Sequence, residues 1–170
     1  MATIKCNKCN SGIHYHGEPS GIQYYFIKKT DWNNICSSHF DKNNKVFSEN
    51  NIPKLFRSDT IEEDFSEQII TAWKCPHCKL FMFFNRNDEI TNEFEPIKID
   101  NTNIISASTD SQTDYIVFDD FTWDKLTERA IPNNEISSNL CHYYIAKINE
   151  CSMEFYCQTG QITERYIKFI

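Results

Sequence analysis

The hydrophobic pattern reads as short strands with a few helical stretches between them. Residues 22–27 (Ile-Gln-Tyr-Tyr-Phe-Ile) are rich in β-branched and aromatic side chains and predict a strand, and residues 30–35 predict a short capped helix. From Asp59 to Ile70 the period changes. Ile61, Phe65 and Ile69 recur every four residues with Glu62, Glu63, Asp64 and Glu67 between them, and Asp59 with Glu62 fits a capping box, so an amphipathic acidic helix is expected. Strand-like surroundings return at Trp73-Lys74 and in the apolar run 80–84. Residues 85–103 read as a linker or irregular crossing, with a turn at 85–88 and a short strand bounded by Pro96. Residues 115–118 predict a strand, 120–128 a short helix ended by Pro132, and 143–148 with 153–157 a hairpin. The apolar ending at 167–170 is expected to be paired or packed. The polar stretches 41–51 and 106–113 read as loops.

A faint repeat runs through this pattern. Setting Trp32 over Trp123 puts Tyr24 over Tyr115, Ile27 over Phe118 and Ile35 over Leu126, a single offset of 91 (123 − 32). A duplicated strand–helix unit would produce this, with the metal-binding residues kept only in the first copy.

Length and composition narrow the class. At 170 residues, with 40% hydrophobic and 24% charged residues, the chain suits one compact domain or two very small ones. A net charge of −7 is the wrong sign for a protein whose main task is neutralising phosphates. No run of about 18 apolar residues suggests a membrane span, and residues 1–6 lack the basic and apolar regions of a signal peptide. A cytoplasmic protein is therefore expected. The abundance of Asn and Ile fits an AT-rich coding genome, bacterial or viral.

The strongest chemical signal is Cys6-Asn7-Lys8-Cys9 together with Cys75-Pro76-His77-Cys78. Each C-x-x-C lets two thiolates from one tight turn point at one ion, and two such turns complete the four-sulfur tetrahedron that zinc favours. This pairing resembles the zinc-ribbon class over roughly residues 4–16 and 72–84. The resemblance implies two hairpin knuckles clamping one structural zinc per chain. Two departures stand out. Residues 10–74, 65 in all, separate the pairs, so a sizeable insertion must fold between them. The position after the second Cys of each knuckle wants a positive φ and carries Asn10 and Lys79 in place of Gly.

The fold expected from these elements is α+β. Residues 1–90 would form a zinc-ribbon-like part with a helical insertion at 41–70, packed on a smaller β-rich part at 91–170. His14, His16, Cys36 and His39 could hold a second zinc, or could be an ordinary buried Cys beside surface histidines. Cys141, Cys151 and Cys157 read as core positions in strands, with the last two on one face.

Catalysis would need another constellation, since four thiolates leave no open metal position. Cys36 with His39 could form a small hydrolase site, and Asp119 with Asp120 a carboxylate pair, but neither has a recognisable third group. The expected function is accordingly a non-enzymatic protein-binding module: a small acidic inhibitor, immunity or phage anti-defence type protein. Its partner-binding residues would come from the glycine-rich loop 11–21 (His14, Tyr15, His16, Glu18) and the acidic face (Glu62, Glu63, Glu67). The alternative, implied by the zinc-ribbon resemblance, is a nucleic-acid-binding or transcription accessory protein. Lys5, Lys8, Lys28, Lys29, Lys74 and Lys79 would supply charge to it, and Tyr15, Tyr24, Tyr25 and Phe81 would stack on bases.

Overall fold

The computed structural model describes residues 2–15, 20–39, 65–99, 112–127, 143–157 and 160–169. A two-stranded hairpin of β1 (Ala2–Lys5) and β2 (Gly12–Tyr15) comes first. Then follow β3 (Gln23–Lys28), α1 (Lys29–His39), β4 (Ile69–Lys74), β5 (Phe81–Phe84) and β6 (Ile90–Ile97). The same order recurs in β7 (Thr113–Asp119), α2 (Asp120–Thr127), β8 (Tyr144–Ile148), β9 (Ser152–Tyr156) and β10 (Ile162–Lys168).

Among the described residues, strands β3 to β10 close one antiparallel barrel in the order β10-β6-β5-β4-β3-β7-β8-β9. The fold is thus mostly β, and the expectation of an α+β protein with a helical insertion is incorrect. Residues 59–64 of the predicted acidic helix lie outside the described residues; 65–68 form a turn, and Ile69 and Ile70 open β4. The division at 90/91 falls at the first residue of β6, which is hydrogen-bonded to β5 on one side and β10 on the other.

Among the described residues, the barrel consists of two halves of the same element order, strand–helix–three strands, related by a local dyad. Along β3 and β7 the dyad passes through the pair Phe26↔Val117, separated by the same 91 residues (117 − 26) as the two tryptophans. The halves meet again at Glu95↔Ile167, where β6 and β10 close the barrel. Matching registers pair Ala72 with Ala146, Phe83 with Phe155, Phe81 with Met153 and Phe94 with Tyr166. These eight, with Phe26 and Val117, are the buried cluster that fills the barrel. Even the irregularities correspond. The register shifts beside Phe84↔Ile90 in one half and Tyr156↔Ile162 in the other, and at each a threonine hydroxyl (Thr91, Thr163) donates to the carbonyl of Phe83 or Phe155.

The two helices lie outside the barrel over β3 and β7, each reaching across the dyad. Trp32 of α1 packs against Phe118 of β7 with ring centroids 5.0 Å apart, and Trp123 of α2 stacks on Tyr25 of β3 at 4.8 Å. Both indoles are buried, and with Ile27, Ile35, Ile116 and Tyr143 they form a second core. Asp119 caps α2 by accepting the Thr122 N–H at 2.8 Å. Asp120, also buried, accepts the N–H groups of Ser20 and Gly21 at 3.0 and 2.8 Å, anchoring the end of the glycine-rich loop where Gly21 needs its positive φ of 74°. Both carboxylates therefore hold backbone.

Three further sequence expectations change. Pro96 lies inside an eight-residue strand, which it tolerates because β6 by then has left β5 and pairs only with β10. Cys151 is exposed in the turn between β8 and β9, and Cys157 lies half-buried just beyond β9, so neither is a strand core position. Cys141 lies outside the described residues.

Candidate metal centre

The β4–β5 connection and the β1–β2 connection are built alike. In the first knuckle the Cys6 N–H donates to the Ser11 carbonyl and the Asn10 N–H to the Cys6 carbonyl, both at 2.9 Å. In the second the Cys75 N–H donates to Leu80 and the Lys79 N–H to Cys75, at 2.8 and 2.9 Å. Asn10 (φ 61°) and Lys79 (φ 64°) adopt the left-handed conformation this turn demands. Asn accepts that conformation readily; Lys79 is held there while its Nζ donates to the Pro76 carbonyl at 2.8 Å.

The turns face each other and bring the four sulfurs of Cys6, Cys9, Cys75 and Cys78 within 4.8 Å of one another. Cys6 Sγ stands 3.5 Å from Cys78 Sγ, and Cys9 Sγ 3.7 Å from Cys75 Sγ. A tetrahedral ion with metal–sulfur bonds of about 2.3 Å requires sulfur separations of about 3.8 Å, whereas a disulfide needs about 2.05 Å. The four-cysteine cluster thus fits a metal ion.

Backbone and hydroxyl donors support the thiolates. Lys8 and Cys9 direct N–H groups at Cys6, Ser11 offers both its hydroxyl and its N–H to Cys9, and Leu80 does the same for Cys78 with its N–H. The Ser11 hydroxyl and backbone lower the Cys9 thiol to about 6. Burial raises the Cys6 thiol and pushes Cys78 up to about 12. Buried thiolates crowded together are unfavourable alone; a bound cation supplies the missing charge.

The centre is seated on the barrel's outer wall. Cys6, Ile13, Cys75, Leu80 and Met82 form a third buried cluster, with Ile4, Ile22, Trp73, Phe84 and Phe169 packed around it. Asn7 donates to Glu93 at 2.7 Å and Lys8 pairs with Glu95 at 3.1 Å, so the first knuckle also grips β6. The equivalent turn in the second half is two residues shorter between the matched positions and is closed by Asn149, whose side chain accepts the N–H groups of Cys151 and Ser152 at 2.8 and 2.7 Å. Its four residues, 149–152, are too few for the six-residue knuckle that spans 75–80.

Beside the centre, the hairpin and the outer face of β4 and β5 enclose a cleft of about 840 Å³. Tyr15 lines one wall and Trp73 and Phe84 the floor; Glu67, Arg86 and Asp88 stand at one end. Tyr15 and Glu67, distant in sequence, thus share one concave surface. No sequence signal singled out Trp73, whose outward orientation depends on the register of β4.

The other predicted residues fall as follows. His14 is exposed on β2 with its Nδ1 3.2 Å from the Thr3 hydroxyl. His16, Glu18, Glu62 and Glu63 lie outside the described residues; Cys36 and His39 belong to α1, with their side chains likewise outside them. Phe81 is fully buried in the barrel, so it cannot stack on a base. Lys74 turns into the barrel mouth against Glu164 (3.4 Å) and the rings of Tyr24, Phe81 and Tyr166. Among the described residues, no helix is long and apolar enough to cross a membrane.

Fold and site define, among the described residues, a closed antiparallel barrel of two like halves, carrying on its outer wall a four-cysteine cluster that could hold a metal ion. Residues 2–101 match the family described as domain of unknown function DUF8617, and the chain belongs to that family. The match runs from β1 to four residues past β6 (101 − 97), so it covers the hairpin and the first half of the barrel. No curated protein and no solved structure matches the chain.

Proposed function

We propose that this protein is a non-enzymatic protein-binding module held together by one structural zinc ion. Four thiolates in a tetrahedron suit zinc or iron, and the closed shell, with no position for water or substrate, suits a structural role. Asp119 and Asp120, the carboxylates available for catalysis, are occupied in holding backbone. The reading places the protein in the cytoplasm. Paired cysteines at short spacing, read as metal ligands, suit a reducing compartment.

The observation that carries the proposal is the cleft beside the metal centre, which joins Tyr15 and Glu67 on one surface. A net charge of −7 repels polyanions and steers cationic protein surfaces. Two lysines of the nucleic-acid alternative, Lys8 and Lys74, are already paired with Glu95 and Glu164.

The test compares pull-down from the native cell, using wild type and a Glu62→Lys, Glu63→Lys, Glu67→Lys variant, with binding to mixed single- and double-stranded DNA and RNA across a salt series. A specific protein partner is expected, with capture weakened by the charge reversal. Micromolar or tighter nucleic-acid binding at physiological salt, with the steep salt slope of phosphate contacts, would reject the proposal.

A further inference from the structure

We infer that the cleft between the N-terminal hairpin and the barrel takes an arginine-bearing extended segment of a basic protein; this rests on the protein-binding reading above. The rings of Tyr15 and Trp73 lie 5.7 Å apart at 47°, and those of Trp73 and Phe84 5.7 Å apart at 60°. Three aromatic surfaces in different orientations thus line one concave surface. All three rings are half-buried, with area left to cover.

At one end of this cleft stand the exposed carboxylates of Glu67 and Asp88, with Arg86 at 3.1 Å from Glu67. Aromatic faces beside carboxylates suit a guanidinium. It is planar and weakly hydrated, stacks on rings, and bonds a carboxylate through two N–H groups, whereas an ammonium offers only a compact charge. An incoming arginine would compete with Arg86 for Glu67 and find Asp88 beside it. The volume of about 840 Å³ lies in the upper part of the ligand-pocket range, room for several residues of an extended chain. The sign of the protein's charge, −7, matches a cationic occupant and opposes a phosphate-bearing one.

The metal centre sets the width of the cleft. Ile4 and Trp73, both in its lining, each precede a metal-binding cysteine by two residues, Cys6 and Cys75. The clamp therefore holds the hairpin wall at a fixed distance from the β4 floor.

The test uses the full metal-loaded chain and three fluorescently labelled peptides, (Ser-Arg)4, (Ser-Lys)4 and (Ser-Glu)4, with a labelled dT12 oligonucleotide, followed by anisotropy at physiological salt. The arginine peptide is expected to bind about fivefold or more tighter than the lysine peptide, and the glutamate peptide to fail. Trp73→Leu, which keeps apolar bulk and removes the π-face, is expected to weaken the arginine peptide about tenfold. Thermal melting reports whether that variant folds. If it does not, Glu67→Gln with Asp88→Asn, both at exposed positions, decides, and should weaken both cationic peptides. Equal affinity for arginine and lysine peptides, or arginine binding unchanged in the variants, overturns the inference; the protein-binding reading is then judged by its pull-down alone. Tighter binding of dT12 than of the arginine peptide overturns both.

Discussion

Replacing Cys75 by Ser is expected to release the metal ion and free the β1–β2 hairpin from the barrel wall. Without the ion, the hairpin keeps the small cluster around Ile13 and Leu80, the Asn7–Glu93 hydrogen bond and the Lys8–Glu95 pair. A partly exposed ion pair contributes about 0–1 kcal/mol, and a typical hydrogen bond about 1 kcal/mol. Structural zinc in small domains is worth on the order of 10–16 kcal/mol. Burial of Ile13 adds about 1.5–3 kcal/mol, so a bound zinc would be the largest single contribution to the attachment. The barrel closes through its own strand pairs, from β3–β7 round to β6–β10, and does not need the hairpin to complete a sheet. Hydrogen exchange should show the amides of β1 and β2 losing protection while those of β3, β7 and β8 retain it. Loss of the metal with unchanged hairpin protection would contradict the clamp.

Trp123→Ala is expected to cost about 3–5 kcal/mol, the range for removing a fully buried large aromatic. The indole is wholly inaccessible to solvent, stacks at 21° on Tyr25 and touches Phe118 at 5.8 Å. It thus joins α2 of one half to β3 of the other, and truncation opens a cavity at the seam. For a chain of this size the melting temperature should fall by roughly 6–20 °C. Trp32→Ala, the dyad-related change, should lie in the same range, because Trp32 likewise crosses between the halves, packing on Phe118 of β7. A loss below about 1 kcal/mol at either site, measured by denaturant unfolding, would show that the helices do not lock the halves together.

The parts of this structure legible in the sequence are local. Two C-x-x-C turns announce their chemistry within four residues each, and even the left-handed residues after them, Asn10 and Lys79, follow from the turn itself. The strand–helix repeat shows because its offset of 91 is constant from Tyr24 to Ile35. It disappears afterwards because the connections differ in length: Ala72 and Ala146 are 74 apart (146 − 72), and Phe83 and Phe155 are 72 apart (155 − 83). Residue identity also drifts, as Phe81 against Met153 shows, since barrel filling constrains volume more than type.

The barrel escaped the sequence reading because closure is a matter of distant pairings. β6 meets β10 some seventy positions along, at Glu95↔Ile167, and nothing local in either strand marks the other. β4 was obscured for another reason. Ile70 and Ala72 face the barrel interior while Ile69 and Trp73 face the helix-side core and the metal-side cluster, so both faces are apolar and the alternation of a half-buried strand vanishes. Ile69 instead continues the four-residue spacing of Ile61 and Phe65, which is the period of a helix.

The central claim, one zinc ion held by Cys6, Cys9, Cys75 and Cys78, is tested most directly by native mass spectrometry of the chain purified without added metal. The account predicts the 20.1 kDa chain carrying a single zinc, absent after denaturation and absent from Cys6→Ser and Cys78→Ser variants. A folded, hairpin-protected chain without metal, or one carrying iron or two zinc ions, would contradict it.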